Sequence, residues 1–156
     1  MVSAIGSPTR AALISAAVQH LFDRLREDYE RSFAAVPPGA DRVRAAVGLL
    51  WSAFQDEALA AVLELGVAAR TDAELARALR PISDAHHRHV VRLARNFFPE
   101  AAAGARRFEE TLQFVLDALQ GMAVRRLLRP DDPSLASSLA RLETLAEAAL
   151  SPRSGS

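Results

Sequence analysis

One regularity constrains this 156-residue chain more than any other: apolar side chains recur at spacings of three and four, and no segment alternates apolar with polar. Near the start, Ile14, Val18, Leu21, Leu25, Tyr29 and Phe33 keep that rhythm, which puts them on one face of a helix from about Pro8 to Ala35. A strand needs a period of two, so the spacing predicts an all-α fold. Half of the residues are apolar but only 6% are aromatic, so the core of such a fold is built from Leu, Val and Ala. The length suits one domain, expected over residues 1–150, with a polar disordered tail at 151–156.

Punctuation divides the pattern into about six helices. Ser7 can accept from the first free N–H groups and Pro8 has no N–H to waste, which marks the start of the first helix. Pro37 to Gly39 ends it, and Asp41 caps a second helix with Val43, Val47, Leu50 and Phe54 on its stripe and Trp51 at the edge. Asp56 to Ala69 continues the period through Leu59, Val62 and Leu63, although Gly66 costs about 1 kcal/mol relative to Ala. Thr71 and Glu74 form a capping box for a helix carrying Leu75, Leu79, Ile82, His86, Val90, Leu93 and Phe97. Pro81 is expected to kink or divide that helix, and Pro99 and Gly104 separate it from the next.

From Ala105 to Arg129 the pattern broadens. Phe108, Leu112, Val115, Leu119 and Met122 make one face, while Phe114, Leu116, Val124 and Leu128 lie off it, so this helix is expected to be covered on more than one side. Asp132 with Pro133 then caps a last helix bearing Leu135, Leu139, Leu142, Leu145 and Ala149.

Several functions are disfavoured by composition. There is no cysteine, hence no disulfide framework and no thiolate metal site. No run of 18 uncharged apolar residues and no basic-then-apolar leader is present, so the expectation is a cytoplasmic protein without a membrane partner. Net charge is zero, whereas a free-standing nucleic-acid binder concentrates Lys and Arg against phosphates. HExxH, phosphate-loop and nucleophile-elbow motifs are missing, and Asp84 to His87 is one imperfect match to the paired Glu-x-x-His of carboxylate di-iron bundles. The chain is therefore not expected to be an enzyme, and neither a cofactor nor a metal is expected.

The polar and aromatic exceptions to the Leu/Val/Ala pattern are the candidate binding residues. His86, His87 and His89 cluster; positions 86 and 89 share a helix face that coincides with the apolar stripe, so His86 points inward. A buried imidazole serves as a satisfied core histidine, a ligand contact or a metal ligand, and no second ligand run supports the last. Trp51 and Phe54 fill core volume or wall a cavity, with Gln55 beside them. Glu64 lines a site or pairs with a neighbouring arginine such as Arg70, the ion pair being the first expectation. Gly121 weakens its own helix by about 1 kcal/mol yet lets another helix approach closely.

Three segments in order resemble one family. LELGVAARTDAELARALRP (63–81) is similar to the effector-binding half of TetR-type transcriptional regulators, GSPTRAALISAAVQHL (6–21) resembles the turn and long helix that follow their DNA-recognition helix, and LDALQGMAVRRLLRPDD (116–132) resembles their penultimate, dimer-forming helix. The resemblance spans Gly6 to Leu150. It implies a ligand-sensing and dimerisation domain of the TetR C-terminal type, in which the last two helices of each copy build a four-helix bundle. A mostly apolar small-molecule effector is implied in a cavity touching Trp51, Phe54, Gln55, Glu64, His86, His89 and Phe97. A homodimer interface is implied at Phe114, Gly121, Leu128, Leu135, Leu139 and Leu142, the alternative for these two helices being an ordinary monomer core. Many relatives carry a bulkier residue at the position of Gly66, so pocket size is expected to differ. DNA is contacted in that family only through an N-terminal helix-turn-helix headpiece, whose three short helices have no counterpart in this sequence. The alternatives are a headless helical ligand-binding or interaction protein and a small helical enzyme.

Overall fold

A computed structural model describes residues 6–38 and 40–150. Among them are seven helices and no strand: α1 (Arg10–Ala34), α2 (Arg42–Phe54), α3 (Glu57–Ala68), α4 (Ala73–Phe97), α5 (Pro99–Ala102), α6 (Ala105–Leu128) and α7 (Ser134–Leu150). The fold is all-α, as the periodicity predicts, with one helix beyond the expected six. The addition is α5, a four-residue turn that starts on Pro99, where the sequence suggests only a separator. Proline's fixed φ suits a first helical turn, so the residue that ends α4 also opens α5.

Two helix starts fall where the sequence puts them. The Asp41 carboxylate accepts from the Arg44 N–H at 3.0 Å, and Asp132 accepts from the Ser134 N–H at 2.9 Å and its hydroxyl at 2.7 Å. Two others differ. The cap of α1 is Thr9, whose hydroxyl accepts from the Ala12 N–H at 3.1 Å; Ser7 and Pro8 lie ahead of the helix. The cap of α4 is Asp72, accepting from Leu75 N–H at 3.0 Å, while Thr71 turns its hydroxyl back to the Ala68 carbonyl at the end of α3. With two capping residues in tandem, the carboxylate holds α4 and the hydroxyl closes α3. Gly39, part of the expected stop after α1, and the expected disordered tail at 151–156 lie outside the described residues.

Pro81 does not divide α4, which runs unbroken for 25 residues. Leu75 and Leu79 before the proline and Val90 and Phe97 after it are buried in one core, and their packing outweighs the roughly 3 kcal/mol that an interior proline costs. That core has Leu119 of α6 at its centre, with no exposed surface, and takes Val18 and Phe22 from α1, Val47 and Leu50 from α2, and Leu142 and Ala146 from α7.

α1 lies along α4, and α7 packs on α6 and α2. Arginines tie the elements together. Arg42 donates to the Phe97 carbonyl at 2.8 Å with its guanidinium 4.0 Å from the Phe97 ring centre, joining α2 to α4. Arg125 reaches Ser138 at 3.1 Å and Asp132 at 3.5 Å, joining α6 to α7. Between α2 and α3 the chain bends by 72°, and Arg126 of α6 donates to the Gln55 carbonyl at that elbow at 2.8 Å. No single helix among the described residues is long and apolar enough to cross a membrane.

Candidate ligand-binding cleft

Beyond the elbow α3 packs on the core through Leu59, and a cleft of about 920 Å³ lies among α1, α2, α3, α4 and α6. Its floor is apolar: Phe22 and Tyr29 come from α1, Leu50 and Phe54 from α2, Leu59, Val62 and Leu63 from α3, Val90 from α4 and Leu116 from α6. Polar groups stand among them and at the edge, namely Arg70 after α3, Ser83, His86 and His87 on α4, and Gln113, Asp117 and Gln120 on α6. Gln113 donates to the Asp117 carboxylate at 2.8 Å, an i,i+4 pair on α6.

His86 is half-buried and stacked on Phe22, with ring centres 4.0 Å apart and planes within 13°. Burial pulls its imidazole down from 6.5 to about 4, with smaller pushes from His89 and His87, so the ring is uncharged at neutral pH. Tyr29 is only 5% exposed, and burial raises its phenol to about 12. The cleft thus presents two neutral hydrogen-bonding groups, 6.4 Å apart between ring centres, on an apolar bed.

The other expected binding residues are distributed differently. Phe54 and His86 line the cleft, but His89 does not. It is buried against α1, its Nδ1 3.3 Å from an Arg92 Nη and its Nε2 3.6 Å from Glu30. Arginine only donates, so Nδ1 is the acceptor and Nε2 carries the proton toward Glu30. Burial lowers the His89 pKa, Glu30 raises it, and Arg92 and Arg26 lower it further. Trp51 is half-buried against the core beside the cleft, and Gln55 is exposed and engaged through its backbone at the elbow. Glu64 is exposed, away from the cleft lining, and takes part in none of the ion pairs among the described residues, so the expected pairing with Arg70 is not formed. Phe97 is buried, stacked edge-on against Phe33, and borders a separate hollow of about 410 Å³ with Asp41 and Arg42.

Tyr29, Phe22, Arg70 and the α6 side chains are absent from the sequence-derived site. The available signal was Tyr29, the chain's single tyrosine, whose hydroxyl sits in an otherwise hydrocarbon stripe.

The residues expected at an interface also separate. Leu135 and Leu142 are buried in the chain's own core and Leu139 packs against it, which leaves them little surface for a second copy. A helix with one apolar stripe spends it on its own bundle. Phe114, Gly121 and Leu128, seven residues apart on α6, instead form an exposed stripe; Phe114 is 54% and Leu128 80% exposed, with Val124 and Leu127 alongside. Searches of family models, curated proteins and solved structures found no match to this chain.

Proposed function

We propose that the chain is a small-molecule-sensing and self-associating domain, the effector-binding and dimerisation half of a TetR-like transcriptional regulator. One observation carries the reading: α6 has three separate faces. One is buried around Leu119, one lines the cleft through Gln113, Leu116, Asp117 and Gln120, and one offers the Phe114–Gly121–Leu128 stripe to solvent. A helix shared between a cleft and an interface transmits occupancy of one to the geometry of the other, provided the ligand prefers one helix arrangement. The cleft suits a mostly apolar effector.

A second copy is the occupant that the stripe favours. An apolar stripe with seven-residue spacing is self-complementary across a two-fold axis, and a Cβ added to Gly121 would meet nothing within 4 Å inside the chain. Glycine at this exposed position leaves room for close approach of a partner helix. In TetR-like regulators the DNA-reading headpiece precedes the segment resembled here, and the proposal assigns to the cleft the control of how two such headpieces are held.

Sedimentation equilibrium tests the association. The wild-type chain is expected to be a dimer at tens of micromolar, and Phe114→Glu with Leu128→Glu to be monomeric with an unchanged helical circular dichroism spectrum. A monomeric wild type, or a double variant that still dimerises, contradicts the assignment of this stripe.

A further inference from the structure

We infer that the cleft's ligand is an uncharged ring compound carrying a hydroxyl or carbonyl oxygen, held at its inner end by the Tyr29 hydroxyl and the His86 imidazole. The inference rests on the reading of the cleft as the effector site and adds the chemistry of what enters it.

Tyr29 is the carrying observation. It is 95% buried, yet its hydroxyl forms none of the hydrogen bonds found among the described residues. A hydroxyl without a partner in the chain can exchange a water molecule for a ligand oxygen of the same hydrogen-bonding character. This oxygen is not among the sealed, unsatisfied atoms, which are His89 Nε2, Arg125 Nε and Arg126 Nε. Tyr29 lines the cleft, and its oxygen, neither bonded within the chain nor sealed, is open to a ligand there.

His86 repeats the pattern. Its ring stacks on Phe22 and neighbours Tyr29, but its nitrogens make no hydrogen bond to a described residue. A tyrosine hydroxyl and a neutral imidazole both donate and accept, so together they match a hydroxyl or a carbonyl. The surroundings that keep both groups neutral also disfavour a charged ligand end there. The lining holds one cation, Arg70, and one anion, Asp117, so it carries no excess of either sign. The aromatic and branched floor, with Phe22, Phe54 and Val90, suits flat hydrocarbon.

The test uses displacement of the uncharged fluorescent dye N-phenylnaphthylamine from the intact chain by three competitors of the same ring size: naphthalene, β-naphthol and β-naphthoate. At neutral pH β-naphthol is expected to displace the dye at roughly tenfold lower concentration than β-naphthoate. Tyr29→Phe is expected to weaken β-naphthol about three- to tenfold and to leave naphthalene unchanged. Because the hydroxyl has no partner in the chain, Tyr29→Phe keeps the wild-type melting temperature, which separates a ligand contact from a structural one. Tighter binding of β-naphthoate, or indifference of β-naphthol to Tyr29→Phe while the dye still binds, overturns the inference and leaves the cleft reading standing. Failure of the dye and all three competitors to bind overturns both.

Discussion

Acidification from pH 6.5 to pH 4 is expected to remove roughly 3 kcal/mol of folding stability through His86. The imidazole titrates at 6.5 when unfolded and at about 4 when folded, because burial on Phe22 opposes its charge. Across that window the unfolded chain binds the proton and the folded chain does not, so stability is fully present above 6.5 and declines as pH falls toward 4. Below 4 both forms are protonated and this contribution is lost. His89, also lowered, adds in the same direction, whereas the depressed carboxylates Asp41 and Asp132 act mainly below their ordinary value of 3.8. Urea denaturation of wild type and His86→Phe at pH 7 and pH 4 measures the effect. The variant keeps an aromatic partner for Phe22 and is expected to lose much less stability than wild type; equal losses would place the acid sensitivity elsewhere.

Leu119→Ala is expected to cost about 3–4 kcal/mol, a large share of what holds a domain of this size together. Leu119 has no exposed surface and touches a core shared by α1, α2, α4 and α7, so no neighbour can collapse into the space without disturbing another element. On the same helix Leu128 is 80% exposed, and Leu128→Ala is expected to stay within about 0.5 kcal/mol of wild type in solutions dilute enough to keep the chain monomeric. Thermal or urea melts of the two variants distinguish the buried face of α6 from its free stripe. Similar losses at both positions would mean that Leu128 is covered within one copy.

The helices were legible because their signals are local. Asp41 and Asp132 mark starts by side chain–backbone bonds two or three residues long, and the stripe Val43, Val47, Leu50 and Phe54 names the inward face of α2. Where two capping residues stood together, as at Thr71 and Asp72, local rules could not say which helix end each would serve. The cleft was half legible for a different reason. His86 and His89 are three apart, about 60° around a helix, and that offset decides that one meets Phe22 and the cleft while the other meets Glu30. Trp51 and Tyr29 both sit near apolar stripes, but only the elbow after Phe54 determines which of them looks onto open space. A cleft walled by α1, α2, α3, α4 and α6 depends on how those helices lean, and spacing within one helix carries no such information. Core and interface could not be told apart on α7, because a single stripe reads the same whether it faces the chain's own core or a partner; Leu135 and Leu142 are buried within one copy.

Filling the cleft from Gly66 is the sharpest test that its empty space is what the protein uses. Gly66 lines the cleft, and a Cβ added there meets nothing within 4 Å, so a side chain can start from this position without a clash. Gly66→Trp also replaces a helix glycine by a residue of better helix propensity, a gain of about 0.5 kcal/mol, so its melting temperature is expected to match wild type or slightly exceed it. Titration with N-phenylnaphthylamine is expected to show saturable binding to wild type and binding weakened more than about tenfold in Gly66→Trp. A folded Gly66→Trp that binds the dye as wild type does would place the apolar guest outside this cleft and contradict its role in sensing.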